Sequence, residues 1–161
     1  MRVHLAADHA GFQMKEEVKE FLLASGFDVE DHGANTFDPE DDYPGIIARA
    51  AQVLALNDDD RAILFGASGQ GEAMVANRFP RVRAAVFYGA TGSQVDAGGV
   101  SLGLLESTRA HNDANALSIG ARFVTLEIAK EAIARWLKSP FSGEERHRRR
   151  VVDIDEQVNG A

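Results

Sequence analysis

Two hydrophobic rhythms alternate along this chain, one suited to buried strands and one to amphipathic helices. Val3 to Ala7 is a short apolar run closed by Asp8-His9-Ala10-Gly11, a strand and its turn. Met14, Val18, Phe21 and Leu22 then recur at i, i+4, i+7 and i+8, one face of a helix that Gly26 ends. Phe27 to Val29, Ala62 to Phe65, Arg83 to Tyr88 and Ala116 to Ile119 repeat the strand pattern. Ile46 to Leu56 reads as helical, and Leu126 to Leu137 more so, with Ile128, Ala129, Ala132, Ile133, Trp136 and Leu137 on one stripe. Ser142-Gly143-Glu144-Glu145 has capping-box spacing and opens a last helix. Two segments follow neither rhythm. Thr36 to Pro44 is an acidic loop with Pro39 and Pro44 as breakers, and Gly89 to Gly103 is rich in Gly and Ser.

Strands alternating with helices predict a Rossmann-like three-layer α/β sandwich: a five-stranded parallel sheet flanked by helices on both faces. In such sheets ligands bind beyond the carboxyl ends of the strands, at the switch point. That rule gathers Asp8-His9, the segment from Gly66 to Glu72 and residues near the end of the fourth strand into one crevice.

Composition narrows the class. At 161 residues, 45% hydrophobic and 26% charged, residues 1–161 fit one domain with a sizeable core. No apolar run is long enough to span a bilayer, and Met1-Arg2-Val3 enters a strand directly, without a visible signal peptide. Zero cysteines excludes disulfides, thiolate metal sites and a cysteine nucleophile or base; a cytoplasmic location is the simplest expectation. A net charge of −8 argues against nucleic acid as a partner. Against it stands one basic cluster, Arg146-His147-Arg148-Arg149-Arg150.

The segment ILFGASGQGEAMVAN, Ile63 to Asn77, concentrates the chemistry. A strand runs into Gly66-Ala67-Ser68-Gly69-Gln70-Gly71, and Glu72 falls in the first turn of the next helix. Backbone N–H groups and a helix N-terminus then face one spot, suited to an anion or a developing oxyanion, beside a hydroxyl and a carboxylate. Neither Walker A nor Gly-x-Gly-x-x-Gly is present. Taken alone, the segment also fits an ordinary tight turn with Glu72 complementing the helix dipole. Asp8 could equally cap a helix. His111-Asn112-Asp113 lies in a polar break, Arg122 follows the fifth strand, and Arg146 and Arg150 share a helix face one turn apart. Val151, Ile154 and Val158 form an apolar stripe on that helix, which must pack against something. The five histidines show no i, i+4 pair, so spacing indicates no metal site, and no cofactor is expected.

Six segments occur together and in order: Ala7-Asp8-His9-Ala10-Gly11-Phe12; Asp42-Tyr43-Pro44; Gly66 to Gly71 with Ala76-Asn77; His111-Asn112-Asp113-Ala114-Asn115; Gly120-Ala121-Arg122; and Glu145 to Arg150. On these the chain, from Val3 to about Glu156, resembles the ribose-5-phosphate isomerase B family, which includes galactose-6-phosphate isomerase subunits. The resemblance implies metal-free interconversion of aldose and ketose phosphates through a cis-enediolate. It also implies a homodimer or dimer of dimers, with each site between two subunits and the C-terminal helix reaching a partner. The backbone of Ala67, Ser68, Gly69, Gln70 and Gly71 would hold the enediolate oxygens, and Ser68 would assist proton movement between O1 and O2. His111, with Asp8 beside it, would open the sugar ring, and Asn112 would bind substrate. His9 and Arg122 would hold the phosphate, with Arg146 and Arg150 from the neighbour.

Many members carry a cysteine base where this chain has Gly66. A second branch instead carries a glutamate at the position of Glu72, and this chain resembles that branch. Glu72 is therefore the expected base. The segment from Tyr88 to Ala110 is longer than the family's usual one and is expected to reshape the mouth of the site. The function expected is isomerisation of ribose 5-phosphate to ribulose 5-phosphate. The alternatives are a tetrulose or hexose phosphate substrate, or a non-catalytic phosphosugar-binding module.

Overall fold

The computed structural model describes residues 1–90, 92–95 and 98–159, the side chains of 158 and 159 excepted, so Val158 of the apolar stripe lies outside the described side chains. The elements are β1 (Arg2–Ala7), α1 (Phe12–Ala24), β2 (Asp28–Asp31), α2 (Tyr43–Leu54), β3 (Arg61–Gly66), α3 (Gln70–Ala76), β4 (Ala84–Phe87), β5 (Ser93–Val95), β6 (Ser101–Gly103), α4 (Leu104–Asn112), β7 (Ala116–Gly120), α5 (Leu126–Lys138) and α6 (Glu145–Asn159). Five strands form one sheet in the order β2-β1-β3-β7-β4, every pair parallel.

Alternation along the central strands explains why both faces are covered. Val3, Leu5 and Ala7 of β1, Ile63 and Phe65 of β3, and Leu117 and Ile119 of β7 point to one side. There they pack with Val18 and Leu22 of α1 and with Ala129, Ile133 and Trp136 of α5. Ala6, Ala62, Leu64 and Ala116 point to the other side, against Ile46, Ile47, Ala50 and Leu54 of α2 and Ala76 of α3. Trp136 is fully buried, and its Nε1–H donates to Thr108 Oγ1 at 2.9 Å, which meets the polar requirement of a buried indole.

Several boundaries differ from the sequence expectation. The second strand is Asp28–Asp31 rather than Phe27 to Val29, because an edge strand half-open to solvent carries a polar sequence and no apolar signal. Helix α2 starts at Tyr43, with Pro44 in its first turn, where the missing N–H costs nothing; Pro44 starts the helix instead of breaking it. The Gly- and Ser-rich segment contains an antiparallel pair, β5 and β6, and leads into α4. Helix α4 hides from hydrophobic periodicity because its inward face includes Arg109, 4% exposed, held by Asp113 Oδ1 and the Ala114 carbonyl. His111 and Asn112 thus lie in a helix's last turn, not in a polar break. The capping box does not form as drawn: α6 begins at Glu145, and Ser142 Oγ accepts from the Glu144 N–H.

The chain steps from β1 to β2 on one side and to β3 on the other, so the switch point falls between the carboxyl ends of β1 and β3. Asp8 follows one of these ends, and the Gly66–Gly71 turn follows the other.

Candidate active site

A cavity of about 370 Å³ lies at the switch point, lined by Asp8, His9, Tyr43, Ser68, Glu72 and Arg122, with Ala10, Ala67 and Gly71 completing the wall. Its size suits a small ligand. Two close backbone approaches build it. At Gly11 an added Cβ would sit 2.6 Å from the Phe65 carbonyl carbon, so only glycine lets the turn after β1 lie on β3. At Gly69, φ is +73° and the chain turns back against Ile119 and Gly120; Ser118 Oγ donates to the Gly69 carbonyl at 2.6 Å. Ala121 N–H to Gly66 O (2.9 Å) and Arg122 N–H to Ala67 O (3.1 Å) continue the β3–β7 pairing into the loops and set Arg122 at the rim.

Glu72 is 4% exposed. Its carboxyl group fills the space beside Gly66: a Cβ added at residue 66 would collide with it. A glycine at the strand end and a glutamate six residues on are therefore one arrangement, in which the carboxylate stands where a side chain on residue 66 would project. Burial pushes the Glu72 pKa up; a bond from its own backbone N–H pulls the other way, and the nearby Asp8 charge adds to the rise. A carboxylate held above its ordinary range is a stronger base once ionised.

Asp8 is 6% exposed, and its Oδ1 accepts from the N–H groups of Ala10 (3.0 Å) and Gly11 (3.3 Å), so it secures the turn and also borders the cavity. The His9 backbone N–H and ring Nδ1 both reach Asp41 Oδ1, at 2.9 and 2.8 Å. That bond with Asp41 raises the His9 pKa, favouring a cationic ring. Asp8, His9 and Asp41 offer ligand atoms within 4.8 Å of one another, but these already bond to one another or to backbone.

The structure does not gather every expected residue here. Ala67, Ser68 and Gly71 border the cavity; Gly69 turns beneath it and Gln70 is exposed. His111 and Asn112 end α4, just before the start of β7. Because β7 runs parallel to β1 and β3, that start lies at the opposite end of the strands from Asp8 and Gly66. Within one chain, then, His111 is not beside Asp8. It packs instead on His147 of α6, ring centroids 4.6 Å apart, and Ser142 Oγ meets His147 Nδ1 at 2.7 Å. Burial, and the neighbouring His111, push the His147 pKa down. Arg146 is half-buried, with Glu144 Oε2 2.8 Å from its Nε, and Arg150 is exposed on the same helix. Asn112 borders a second cavity, of about 320 Å³, with Arg83, Thr108, Ile154 and Asp155.

Two residues without an expected role bear on the cavity, Tyr43 in its wall and Asp41 behind His9. Tyr43 packs so close to Gly71 that an added Cβ there would lie 2.7 Å from its Oη. Asp41 sits in the acidic loop, and only tertiary contact reveals its grip on His9. Conversely, Asn77 and Asn115 prove to be braces: Asn77 Oδ1 and Nδ2 bond the Ala84 N–H and carbonyl, and Asn115 Oδ1 accepts from the Arg83 N–H, holding β4 at its start.

Fold and site together define a class: a Rossmann-like α/β protein with a buried carboxylate over a glycine-rich turn at the switch point and cationic groups at the rim. The chain belongs to the ribose/galactose isomerase family, whose model matches residues 3–154. It is 34% identical over 151 residues to ribose-5-phosphate isomerase B of Mycolicibacterium paratuberculosis, covering 94% of this chain and 87% of that one. It is 33% identical over 154 residues to the Escherichia coli enzyme of that name, covering 95% and 93%. The crystal structure of Mycoplasma genitalium ribose-5-phosphate isomerase B with bound ribulose-5-phosphate superposes with a TM-score of 0.86 at 32% identity, covering 99% and 97%. Among the described residues, no helix is long and apolar enough to cross a membrane.

Proposed function

We infer that the protein is an aldose–ketose isomerase interconverting ribose 5-phosphate and ribulose 5-phosphate through a cis-enediolate. The observation that carries this reading is the buried Glu72 carboxyl, lying beside Gly66 at the edge of the Gly66–Gly71 turn. A module that only held a phosphosugar would need the cations but no buried carboxylate beside the turn.

Glu72 removes the proton from C2 of the open aldose. The C–H electrons form the C1–C2 double bond, and negative charge moves to O1, where backbone N–H groups of the Ala67–Gly71 turn stabilise it. The Ser68 hydroxyl passes the O2 proton to O1, and Glu72 returns its proton to C1 to give the ketose. His9 and Arg122 bind the phosphate by charge-assisted bonds.

His111, Asn112, Arg146 and Arg150 complete the site from a second copy of the chain. The position of His111 and Asn112 at the opposite end of the strands supports this, as does the exposure of Val152 and Ile154 on α6, at 53% and 46%. His111 of the partner subunit opens the ring near Asp8, Asn112 of the partner subunit binds substrate, and the two arginines of α6 close on the phosphate. The assembly is a homodimer or a dimer of dimers in the cytoplasm, and the reaction uses neither metal nor cofactor.

A panel of tetrose, pentose and hexose phosphates, followed by NMR in deuterated water, tests the reading. Fastest isomerisation of ribose 5-phosphate, with solvent deuterium entering the carbon next to the carbonyl, is the expected result. Turnover confined to another chain length would replace the substrate, and no turnover on any would leave a binding module.

A further inference from the structure

His4, Glu30 and His32 take no part in the site above, yet the fold brings them together. His4 of β1 is paired in register with Glu30 of β2, and His32 lies two residues further on, just past the end of β2, where its N–H still donates to the Leu5 carbonyl of β1 at 2.8 Å. His4 Nδ1 and His32 Nε2 are 2.9 Å apart. Glu30 Oε2 lies 3.8 Å from that His4 nitrogen, and Glu30 Oε1 lies 3.9 Å from that of His32. All three ligand atoms fall within 4.8 Å of one another. We propose that His4, His32 and Glu30 form a two-histidine, one-carboxylate site for a divalent cation of the zinc type, which clamps the edge strand β2 to the sheet.

Two observations support it. Ligand atoms about a tetrahedral zinc, with bonds of about 2.0–2.1 Å, stand roughly 3.3 Å apart. The separations here, 2.9 Å between the two rings, 3.8 Å from His4 to Glu30 Oε2 and 3.9 Å from His32 to Glu30 Oε1, lie on both sides of that value. Next, Asp60 Oδ2 lies 3.3 Å from His4 Nε2, the outer carboxylate that holds a ligating histidine in one tautomer. With its proton on Nε2, His4 turns the Nδ1 lone pair toward His32, and either a proton of His32 or a cation must lie between the two rings. His4 is fully buried, while Glu30 is partly exposed and leaves an entry path. Arg2 Nη1 now holds Glu30 Oε2 at 2.9 Å; its Nε bond to Asp28 would keep it in place when Glu30 turns to the metal. Four residues of strand, about 13 Å at the usual rise, separate His4 from Asp8, so the metal would be structural.

Tag-free, metal-stripped full-length protein should take up one Zn²⁺ per chain by calorimetry and melt at a higher temperature with it. Co²⁺ in its place should give the visible absorption of a tetrahedral site. His32→Gln should weaken Zn²⁺ binding by about 100-fold or more and abolish the Co²⁺ spectrum. Asp60→Asn, which keeps the acceptor for the Arg2 N–H, should weaken binding by roughly 10- to 100-fold. Glu30→Gln alters a partly exposed side chain and serves if His32→Gln fails to fold by circular dichroism; it too should weaken binding. His9→Gln should bind as the wild type does. Absence of saturable binding, or equal binding by wild type and His32→Gln, would leave a hydrogen-bonded histidine pair and overturn the proposal. Loss of binding in His9→Gln alone would place the metal at Asp8 and Asp41 and overturn it as well.

Discussion

The cavity between β1 and β3 and the basic cluster on α4 and α6 are built in opposite ways. The cavity is made mostly of backbone and short side chains, fixed by turns that only Gly11 and Gly69 permit, with a single buried carboxylate. The cluster is made of long or titratable side chains on helix surfaces: His111 and Arg146, each half-buried, and the exposed Arg150. On the proposed reading the first serves proton transfer, where small displacements are costly. The second offers charge that is adjustable and screened by salt. They stand at opposite ends of the strands of one parallel sheet, so the proposed site, which uses both, needs two chains.

Loss of Glu72 should separate the two regions most sharply. Glu72→Gln keeps the shape of the cavity and should lower kcat by about two to four orders of magnitude, the usual span for a general base, with little change in substrate binding. Exchange of the carbon-bound proton with deuterated solvent should vanish. Because residue 66 projects into the space of the Glu72 carboxyl, Gly66→Cys in a Glu72→Ala background should recover part of that loss. Near-normal turnover of Glu72→Gln would move the base to Asp8.

Arg122→Ala on the cavity side, and Arg146→Ala with Arg150→Ala on the cluster side, should each raise KM about tenfold or more while kcat changes less. Salt should weaken binding in the wild type and less so in the double variant, since the α6 arginines carry much of the screened share. If Arg146→Ala binds substrate normally, α6 is only a solvated face.

The pH profile carries smaller effects. Since burial raises the Glu72 pKa, the acid limb of kcat/KM should lie above the ordinary glutamate value of about 4.3. The same shift means the folded protein holds that proton more tightly than the unfolded chain, so ionised Glu72 lowers stability once pH exceeds the unfolded value. Glu72→Gln should accordingly melt a few degrees higher at neutral pH. Asp41 raises the His9 pKa, so His9 stays cationic to higher pH, and phosphate affinity should fall as pH rises through that raised value. Asp41→Asn should move this fall to lower pH, a several-fold change in KM near neutrality read from KM against pH.

The cavity side was largely legible in the sequence, because its parts are local. A strand, a run of small residues and a first-turn carboxylate are contiguous, and the parallel-sheet rule brings Asp8 to them. The cluster side was less legible. Helix α4 is amphipathic through a buried, paired Arg109 and so escapes apolar periodicity, and the end of the sheet's strands at which His111 sits depends on the direction of β7. Asp41 and Tyr43 bear on the site only through tertiary contact. His4 and His32 are 28 residues apart and met only when β1 and β2 paired.

The central claim is that each active site joins the cavity of one chain to the cluster of another. Mixing inactive Glu72→Gln with inactive His111→Gln, after mild dissociation and reassociation, tests it directly. If the two halves come from different chains, one site in each mixed dimer has both Glu72 and His111 intact. Activity should then return, approaching a quarter of wild type when equal amounts mix at random. If Glu72 and His111 act within one chain, no mixed dimer holds an intact pair, and a mixture that stays as inactive as its parents while exchanging subunits would contradict the account.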